Sequence, residues 1–220
     1  MSAPGLVIFD CDGVLVDSEA ISMRVLTQAI NAVDVPMTLA EVHAAFIGTD
    51  VATIEREVGR RRGTPVPEGW MDDFYAARAE VFARELVAVP GAREAVEAVQ
   101  ADGWETCVAS QGRPAKMAQT LGLTGLSDLF PAERIFSATM VERPKPAPDL
   151  YLHAARECGW EPADCVVVED SLLGVRGARA AGMRVLGYVA ASEAEDAALP
   201  LLAAGAEVVR SLGEVPARVA

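Results

Sequence analysis

Short apolar segments rich in β-branched residues alternate with helical patterns through most of the chain. The apolar segments cover residues 6–11, 106–110, 134–138, 165–169, 183–189 and 207–210, and the helical patterns include 91–102, 114–122, 147–158 and 171–181. Such alternation is typical of a parallel sheet with helices on both faces. The run Val166-Val167-Val168 indicates a strand that is buried on both sides. We therefore predict an α/β fold with a Rossmann-like parallel sheet.

One long segment interrupts this alternation. Residues 18–87 carry helical patterns without a convincing strand, and Ser18 stands where an N-cap is expected. Apolar residues then recur at helical spacing, at Ile21, Val25, Ala29, Ile30 and Val33. We predict a helical domain at 18–87, inserted into an α/β core that is formed by 1–17 and 88–220.

The charge balance limits the classes of partner. The 220 residues include 32 Asp and Glu against 19 Lys and Arg, a formal net charge of −13. Nucleic-acid binding requires a basic surface, so we expect no nucleic-acid partner. The sequence has no signal peptide and no long apolar span, so we expect a cytoplasmic protein without membrane association. It does not specify an oligomeric state.

The four cysteines show no C-x-x-C pair and no zinc-like spacing, and we expect them to be reduced. Cys11 lies between two aspartates, but its side chain should point to the opposite, packed face of its strand. We interpret it as a small core residue rather than a nucleophile.

Two aspartates and a glycine follow the first apolar segment, as Asp10-Cys11-Asp12-Gly13. Side chains at i and i+2 of an extended segment point the same way, so both carboxylates can face one site. Their mutual repulsion favours a bound cation or a catalytic use of the pair. A simpler alternative is an acidic turn, and the glycine is misplaced for an EF-hand loop. We interpret the pair as a sign of metal-assisted chemistry, because further polar residues end other strands.

Three further polar groups follow predicted strands or precede predicted helices. Ser110-Gln111-Gly112 ends one strand, Glu169-Asp170 ends another, and Lys145 lies in the loop Arg143-Pro144-Lys145-Pro146. Ligands of open α/β sheets bind outside the carboxyl ends of the strands, so we expect these side chains at one edge of the sheet. The ordinary alternatives are an acidic helix start for Glu169-Asp170 and an exposed surface position for Lys145.

These polar residues, and their order along the chain, resemble those of the haloacid dehalogenase (HAD) superfamily. Within it, they resemble the β-phosphoglucomutase-like branch with a helical cap. The resemblance spans nearly the whole chain. It rests on four motifs, Phe9-Asp10-Cys11-Asp12-Gly13-Val14-Leu15, Val108-Ala109-Ser110, Arg143-Pro144-Lys145-Pro146-Ala147-Pro148-Asp149 and Val168-Glu169-Asp170-Ser171. It implies a HAD-like core for the α/β part and a cap for residues 18–87.

The resemblance implies roles for the acidic residues. Asp10 would be the nucleophile that accepts a phosphoryl group as an aspartyl phosphate. Asp12 would protonate the leaving alcohol and later activate water. Mg²⁺ would be bound by the carboxylates of Asp10 and Asp170 and by the backbone carbonyl of Asp12, with Glu169 binding directly or through water.

The resemblance also implies contacts with substrate. Ser110 and Lys145 are similar to the phosphate-binding pair of the family. Other positions match places where members of the branch contact substrate, and we expect specificity contacts at Glu19, Gly48, Thr49, Asp50, Gln111 and Arg113. For Arg113, a solvated residue at a helix start is an equal alternative.

The reactions of the superfamily can be distinguished by the presence or absence of particular residues. Dehalogenases of the family lack a counterpart of Asp12, and phosphonatases use a cap lysine that residues 18–87 do not contain. Mutases of the branch carry a cap histidine and a cap arginine, whereas this chain has Ser22 and Val51 there. We therefore expect a Mg²⁺-dependent phosphatase that hydrolyses a small phosphorylated metabolite, either a sugar or a sugar-acid phosphate.

Two alternatives stay open. One is a sugar phosphate mutase of the β-phosphoglucomutase type, in which Arg113 or another arginine replaces the missing cap arginine. The other is a non-catalytic phospho-acceptor signalling domain, which also places aspartates, a hydroxyl residue and a lysine around Mg²⁺. The acceptor aspartate of such domains lies on a later strand than their acidic pair, and they lack a helical cap of this size.

Overall fold

The computed structural model describes residues 4–46, 49 and 51–220. They form two compact units, one that combines the segment up to Asp17 with Val87–Ala220 and one that covers Ser18–Leu86. Gly48 and Asp50, for which the sequence predicts substrate contacts, lie outside the described residues.

A six-stranded sheet forms the centre of the first unit. Its strands are β1 Leu6–Phe9, β2 Glu105–Ser110, β3 Ile135–Ser137, β4 Cys165–Glu169, β5 Arg184–Tyr188 and β6 Glu207–Val209. Their order is β3-β2-β1-β4-β5-β6, and all neighbouring strands are parallel. The predicted parallel sheet is confirmed. The strand order reverses between β1 and β4, which is where open α/β sheets bind their ligands.

The α-helices in the described residues are α1 Glu19–Asn31, α2 Leu39–Phe46, α3 Val51–Arg62, α4 Trp70–Glu85, α5 Ala92–Ala101, α6 Pro114–Leu123, α7 Asp149–Cys158, α8 Leu172–Ala180, α9 Leu199–Ala203 and α10 Val215–Val219. The first four form the second unit, and the others cover the sheet. None of them combines the length and the apolar surface that a bilayer-spanning helix needs.

Strand β1 is buried on both faces and fixes the position of the residues that follow it. Leu6 and Ile8 belong to the core cluster that includes residues of α7 and α8. Phe9 points to the other face, where its ring contacts Phe130 edge-on at 6.4 Å between centroids. The backbone N–H of Asp10 donates to the carbonyl of Val168 at 2.9 Å. The pairing with β4 therefore continues into the first residue of the predicted site.

In the second unit, α1 packs against α2 and α4. Ile21, Val25 and Ile30 are buried, as their spacing predicts. Ser18 occupies the N-cap position of α1, but its side chain makes no capping hydrogen bond. Its backbone is already helical, with φ −97° and ψ −17°, whereas a capping side chain needs an extended backbone. Ser18 thus stands at the predicted N-cap position, but its side chain does not cap the helix.

The four cysteines are free thiols. Cys11 is buried, with its sulfur 3.9 Å from the hydroxyl of Thr120, so it packs in the interior as predicted. Cys158 differs because it is only partly buried. A hydrogen bond with Cys107, together with the nearby guanidinium of Arg134, lowers the pKa of the Cys158 thiol to about 7.

We predict that Cys158 is the first cysteine to be alkylated by iodoacetamide, because the thiolate is the reactive form. Its rate should rise with pH through about 7 rather than 9. Replacing Arg134 with Met should slow labelling at pH 7 and leave it unchanged above pH 9. Peptide mass spectrometry measures this, with Arg218→Met as a matched loss of charge. Equal labelling of the buried Cys11 would contradict the prediction.

Candidate active site

The carboxyl ends of β1 and β4 carry the predicted acidic residues. Asp10 and Asp12 follow β1, while β4 ends at Glu169 and continues into Asp170. Because β1 and β4 are paired, these residues meet at the point where the strand order reverses. Asp10 and Glu169 are buried, with only 6% and 1% of their surface exposed.

Lys145 joins three strands of the sheet. Its ammonium donates to Asp10 Oδ1 at 2.5 Å, to Glu169 Oε1 at 2.6 Å and to the carbonyl of Ala109 at 3.1 Å. A lysine ammonium has three N–H groups, so every donor is used. The side chain is buried, which excludes the alternative of an exposed surface lysine.

Glu169 is held by hydrogen bonds to both of its oxygens. The hydroxyl of Tyr151 donates to Oε1 at 2.9 Å, in addition to Lys145. The backbone N–H and the hydroxyl of Ser171 donate to Oε2 at 2.9 and 2.8 Å. The Ser171 oxygen also accepts from the N–H of Gly174 and so caps α8. Ser171 is thus both the ordinary N-cap of a helix and a fixed partner of Glu169.

The three buried charges of this cluster shift one another's pKa values. Burial raises the pKa of Asp10 to about 7, and the charges of Glu169 and Asp12 add to this effect while Lys145 opposes it. Burial alone would lower the pKa of Lys145, but Asp10 and Glu169 raise it well above its usual range. Burial also acts against the ionised form of Glu169, but Lys145 and Ser171 lower its pKa. Lys145 therefore stays charged, and of the two carboxyl groups that it contacts, Asp10 is harder to ionise than Glu169.

Asp12 has a lysine partner that the sequence motifs do not indicate. Lys116, the third residue of α6, donates to both carboxylate oxygens of Asp12 at 2.6 and 2.7 Å. Lys116 and Lys145 are the two lysines of the whole chain, and each binds one aspartate of the pair. The rarity of lysine was the sequence signal that could have identified Lys116.

Asp170 lies against Gly13, which has a positive φ of 83°. A Cβ atom at position 13 would come within 1.8 Å of Asp170 Oδ2, so glycine leaves the space that this carboxylate fills. Asp170 is thereby held beside the turn of Asp10 and Asp12. These donors are all oxygens, which suits Mg²⁺. Among the described residues, no three His, Cys, Asp or Glu side chains form a metal cluster by themselves. A cation here would need backbone, water or substrate oxygens as well.

The end of β2 and the loop that follows it contain the remaining predicted residues of the core unit. Ser110 is buried, and its hydroxyl oxygen accepts from the N–H of Gly112 at 3.1 Å. Gln111 and Arg113 are exposed, and Arg113 lies at the N-cap of α6. Both alternatives for Arg113, a substrate contact and a solvated residue at a helix start, are compatible with this position.

Two of the residues for which the sequence predicts substrate contacts, Glu19 and Thr49, lie in the helical unit and are described. The carboxylate of Glu19 lies 3.3 Å from Nε2 of His43. The hydroxyl of Thr49 donates to the carbonyl of Phe46 at 2.8 Å. Both side chains are thus engaged within their own unit.

Gly174 provides a test of how tightly Glu169 is held. A Cβ atom at position 174 would lie 1.8 Å from Glu169 Oε1. Since four donors fix this carboxylate, we expect Gly174→Ala to lower the free energy of unfolding by about 1–3 kcal/mol. Gly122→Ala is the matched control, because a Cβ atom at this α6 position meets nothing within 4 Å. It should be neutral or stabilising by up to about 1 kcal/mol. Urea denaturation measures both, and equal effects would contradict the prediction.

The sequence is similar to those of known proteins. Residues 4–182 match the family model of the haloacid dehalogenase-like hydrolases. The sequence is similar to 6-phosphogluconate phosphatase of Escherichia coli (strain K12), with 32% identity over 191 residues that cover 86% of this chain and 85% of that protein.

Two solved structures are similar over almost their whole length. One is a haloacid dehalogenase-like protein of unknown function from Agrobacterium tumefaciens, with 34% identity, a TM-score of 0.82 and coverage of 98% of this chain and 97% of that chain. The other is a HAD family hydrolase from Deinococcus radiodurans with bound phosphate and sodium, with 30% identity, a TM-score of 0.80 and coverage of 99% and 96%.

Proposed function

The chain belongs to the haloacid dehalogenase-like hydrolases, and we propose that it is a phosphatase acting on a small phosphorylated metabolite through an aspartyl phosphate. The observation that carries this proposal is the contact of Lys145 with both Asp10 and Glu169 at the carboxyl edge of β1 and β4. It places a fixed positive charge beside the carboxylate that would attack phosphorus. Transfer of a phosphoryl group depends mainly on such fixed charge and on positioning.

In the first half-reaction, Asp10 attacks the phosphorus atom of the ester. The bond between phosphorus and the leaving oxygen breaks as the bond to Asp10 forms. Lys145 is bonded to Oδ1 of Asp10, so we expect Oδ2 to be the attacking atom. Asp12, which carries a proton at the start of this step, gives it to the leaving oxygen, and the alcohol departs.

In the second half-reaction, water attacks the phosphorus atom of the aspartyl phosphate. Asp12, now a carboxylate, takes a proton from this water, and the bond between Asp10 and phosphorus breaks. The products are inorganic phosphate and the original enzyme. We expect Ser110 and Lys145 to bind the phosphoryl oxygens in both steps, and Lys145 would release one of its three present acceptors to do so.

The residues present fit a bound Mg²⁺. The carboxylates of Asp10 and Asp170 and the backbone carbonyl of Asp12 would hold it, with substrate and water as further ligands. When bound, it would supply positive charge to the phosphoryl oxygens. Both oxygens of Glu169 already accept hydrogen bonds, which favours a role for Glu169 through water over direct binding.

The substrate class that we propose is a sugar or sugar-acid phosphate. The similarity to a 6-phosphogluconate phosphatase supports it, because both chains match over most of their lengths. The helical unit would act as a cap that excludes bulk water. We propose that its Glu19, Gly48, Thr49 and Asp50, with Gln111 and Arg113 of the core unit, contribute to specificity.

A mutase has to hold the second phosphate of a bisphosphate intermediate. At the two cap positions where mutases of the branch resemble one another, this chain has Ser22 and Val51, and neither carries a charge. The hydroxyl of Ser22 donates to the carbonyl of Ser18 within α1. This favours water over a second sugar hydroxyl as the acceptor of the phosphoryl group.

We predict that the protein with Mg²⁺ releases inorganic phosphate from at least one member of a panel of sugar phosphates, 6-phosphogluconate and phosphoglycolate. Asp10→Asn should reduce release to that of a control without enzyme, because the amide is a poor nucleophile. Asp102→Asn, an exposed aspartate after α5, is the matched control and should leave release unchanged.

Each contrary result has a definite meaning. Near-normal release by Asp10→Asn would refute Asp10 as the nucleophile. Conversion of β-glucose 1-phosphate to glucose 6-phosphate with a bisphosphate primer, without net release, would show a mutase. An aspartyl phosphate that persists for minutes without turnover would indicate a signalling domain.

A further inference from the structure

Lys116 lies outside the four family motifs, yet its side chain is built into the site. It donates to both oxygens of Asp12, and the two side chains are only 18% and 28% exposed. We propose that Lys116 is a positioning residue, which holds the carboxylate of Asp12 beside Asp10 for proton transfer. This inference rests on the phosphatase function proposed above.

The contact is well placed to fix Asp12. The neighbouring residue, Met117, is completely buried and anchors the first turn of α6. The aliphatic chain of Lys116 passes over Gly112, where a Cβ atom would lie 3.6 Å from its Cδ. The carbonyl of Gly112 accepts from the hydroxyl of Ser137 at 2.7 Å. Lys116 is therefore presented by a helix start that neighbouring elements hold in place.

An ammonium that binds both oxygens restricts the rotation of an aspartate. A general acid must lie within hydrogen-bond reach of the atom that it protonates. A displacement of about 1 Å at a reacting group can reduce the rate about 100-fold. Asp12 is in a turn after β1, so its side-chain position depends on contacts such as this one.

The contact between Lys116 and Asp12 also means that the two lysines of the site bind different carboxylates. Lys145 is shared between Asp10 and Glu169, so the charge of Asp12 requires another cation nearby. Lys116 provides that cation without contact to Asp10 in the described hydrogen bonds. Once Asp12 has given its proton to the leaving alcohol, Lys116 compensates the negative charge that is left on its carboxylate.

Lys116 could instead bind the substrate phosphate directly, and the two roles predict different dependences. A residue that acts through Asp12 has no further effect once Asp12 is replaced. It also matters little when the leaving group needs no proton, as with p-nitrophenyl phosphate. A residue that binds phosphate directly affects all substrates, with or without Asp12.

The test is a double-mutant cycle of Lys116→Met and Asp12→Asn on the purified enzyme. kcat/KM is measured for the best sugar phosphate of the panel and for p-nitrophenyl phosphate. We expect Lys116→Met to lower kcat/KM for the sugar phosphate about 10- to 100-fold, part of the effect of general acid catalysis. The loss with p-nitrophenyl phosphate should be below about threefold. The double variant should be no slower than Asp12→Asn alone.

Lys116→Arg should restore much of the lost activity, because it can donate to both oxygens of Asp12. Arg156→Met is the matched control, because it removes one positive charge at an exposed position on α7. It should leave kcat/KM unchanged. If Lys116→Met does not fold by circular dichroism, Lys116→Gln takes its place.

Equal losses on the two substrates, or losses that multiply in the double variant, would overturn the positioning role. So would unchanged kcat/KM in Lys116→Met. A failure of the proposed function looks different, because the unmodified protein would then release no phosphate from any ester.

Discussion

The site depends on a single buried cation, the ammonium of Lys145. It uses all three of its N–H groups on acceptors at the ends of β1, β2 and β4. A buried charge is tolerated only when such partners replace water. Removing one partner of a buried pair typically costs about 3–5 kcal/mol. The geometry of Asp10 and Glu169 is therefore coupled to the stability of the sheet edge itself.

Two glycines, which have no side chain, shape the site as much as its charged residues do. Gly13 and Gly174 leave the space into which the carboxylates of Asp170 and Glu169 extend. Glu169 is further fixed by Tyr151, whose ring centroid also lies 5.1 Å from the ammonium of Lys145. Packing and charge thus restrict the same few atoms of the core unit.

Much of this arrangement follows from local sequence. The β-branched runs and the two-residue period place Asp10 and Asp12 on one side of β1, and the strand-edge rule brings Glu169 and Lys145 to the same place. Pairings between distant residues could not be predicted. Lys116 is 104 residues from Asp12, and their contact depends on the angle at which α6 leaves the sheet.

Other details that the sequence does not specify have local causes. Ser18 fails as a side-chain cap because its backbone is already helical, a property that residue type alone does not specify. Tyr151 is one of several apolar residues on the buried face of α7, and only the structure distinguishes the one whose hydroxyl reaches Glu169. The motifs predict which residues could take part in the reaction, whereas the contacts that orient those residues depend on the packing of the folded chain.

The distribution of lysine has a practical consequence. Seventeen of the nineteen basic residues are arginines, and the two lysine amines are both bound to carboxylates of the site. An amine-directed reagent or cross-linker would therefore find no ordinary surface lysine on this chain. Apart from the terminal amine, any amine that reacts reports on Asp10 or Asp12, so occupancy of the site by an anionic ligand can be followed by protection from acylation.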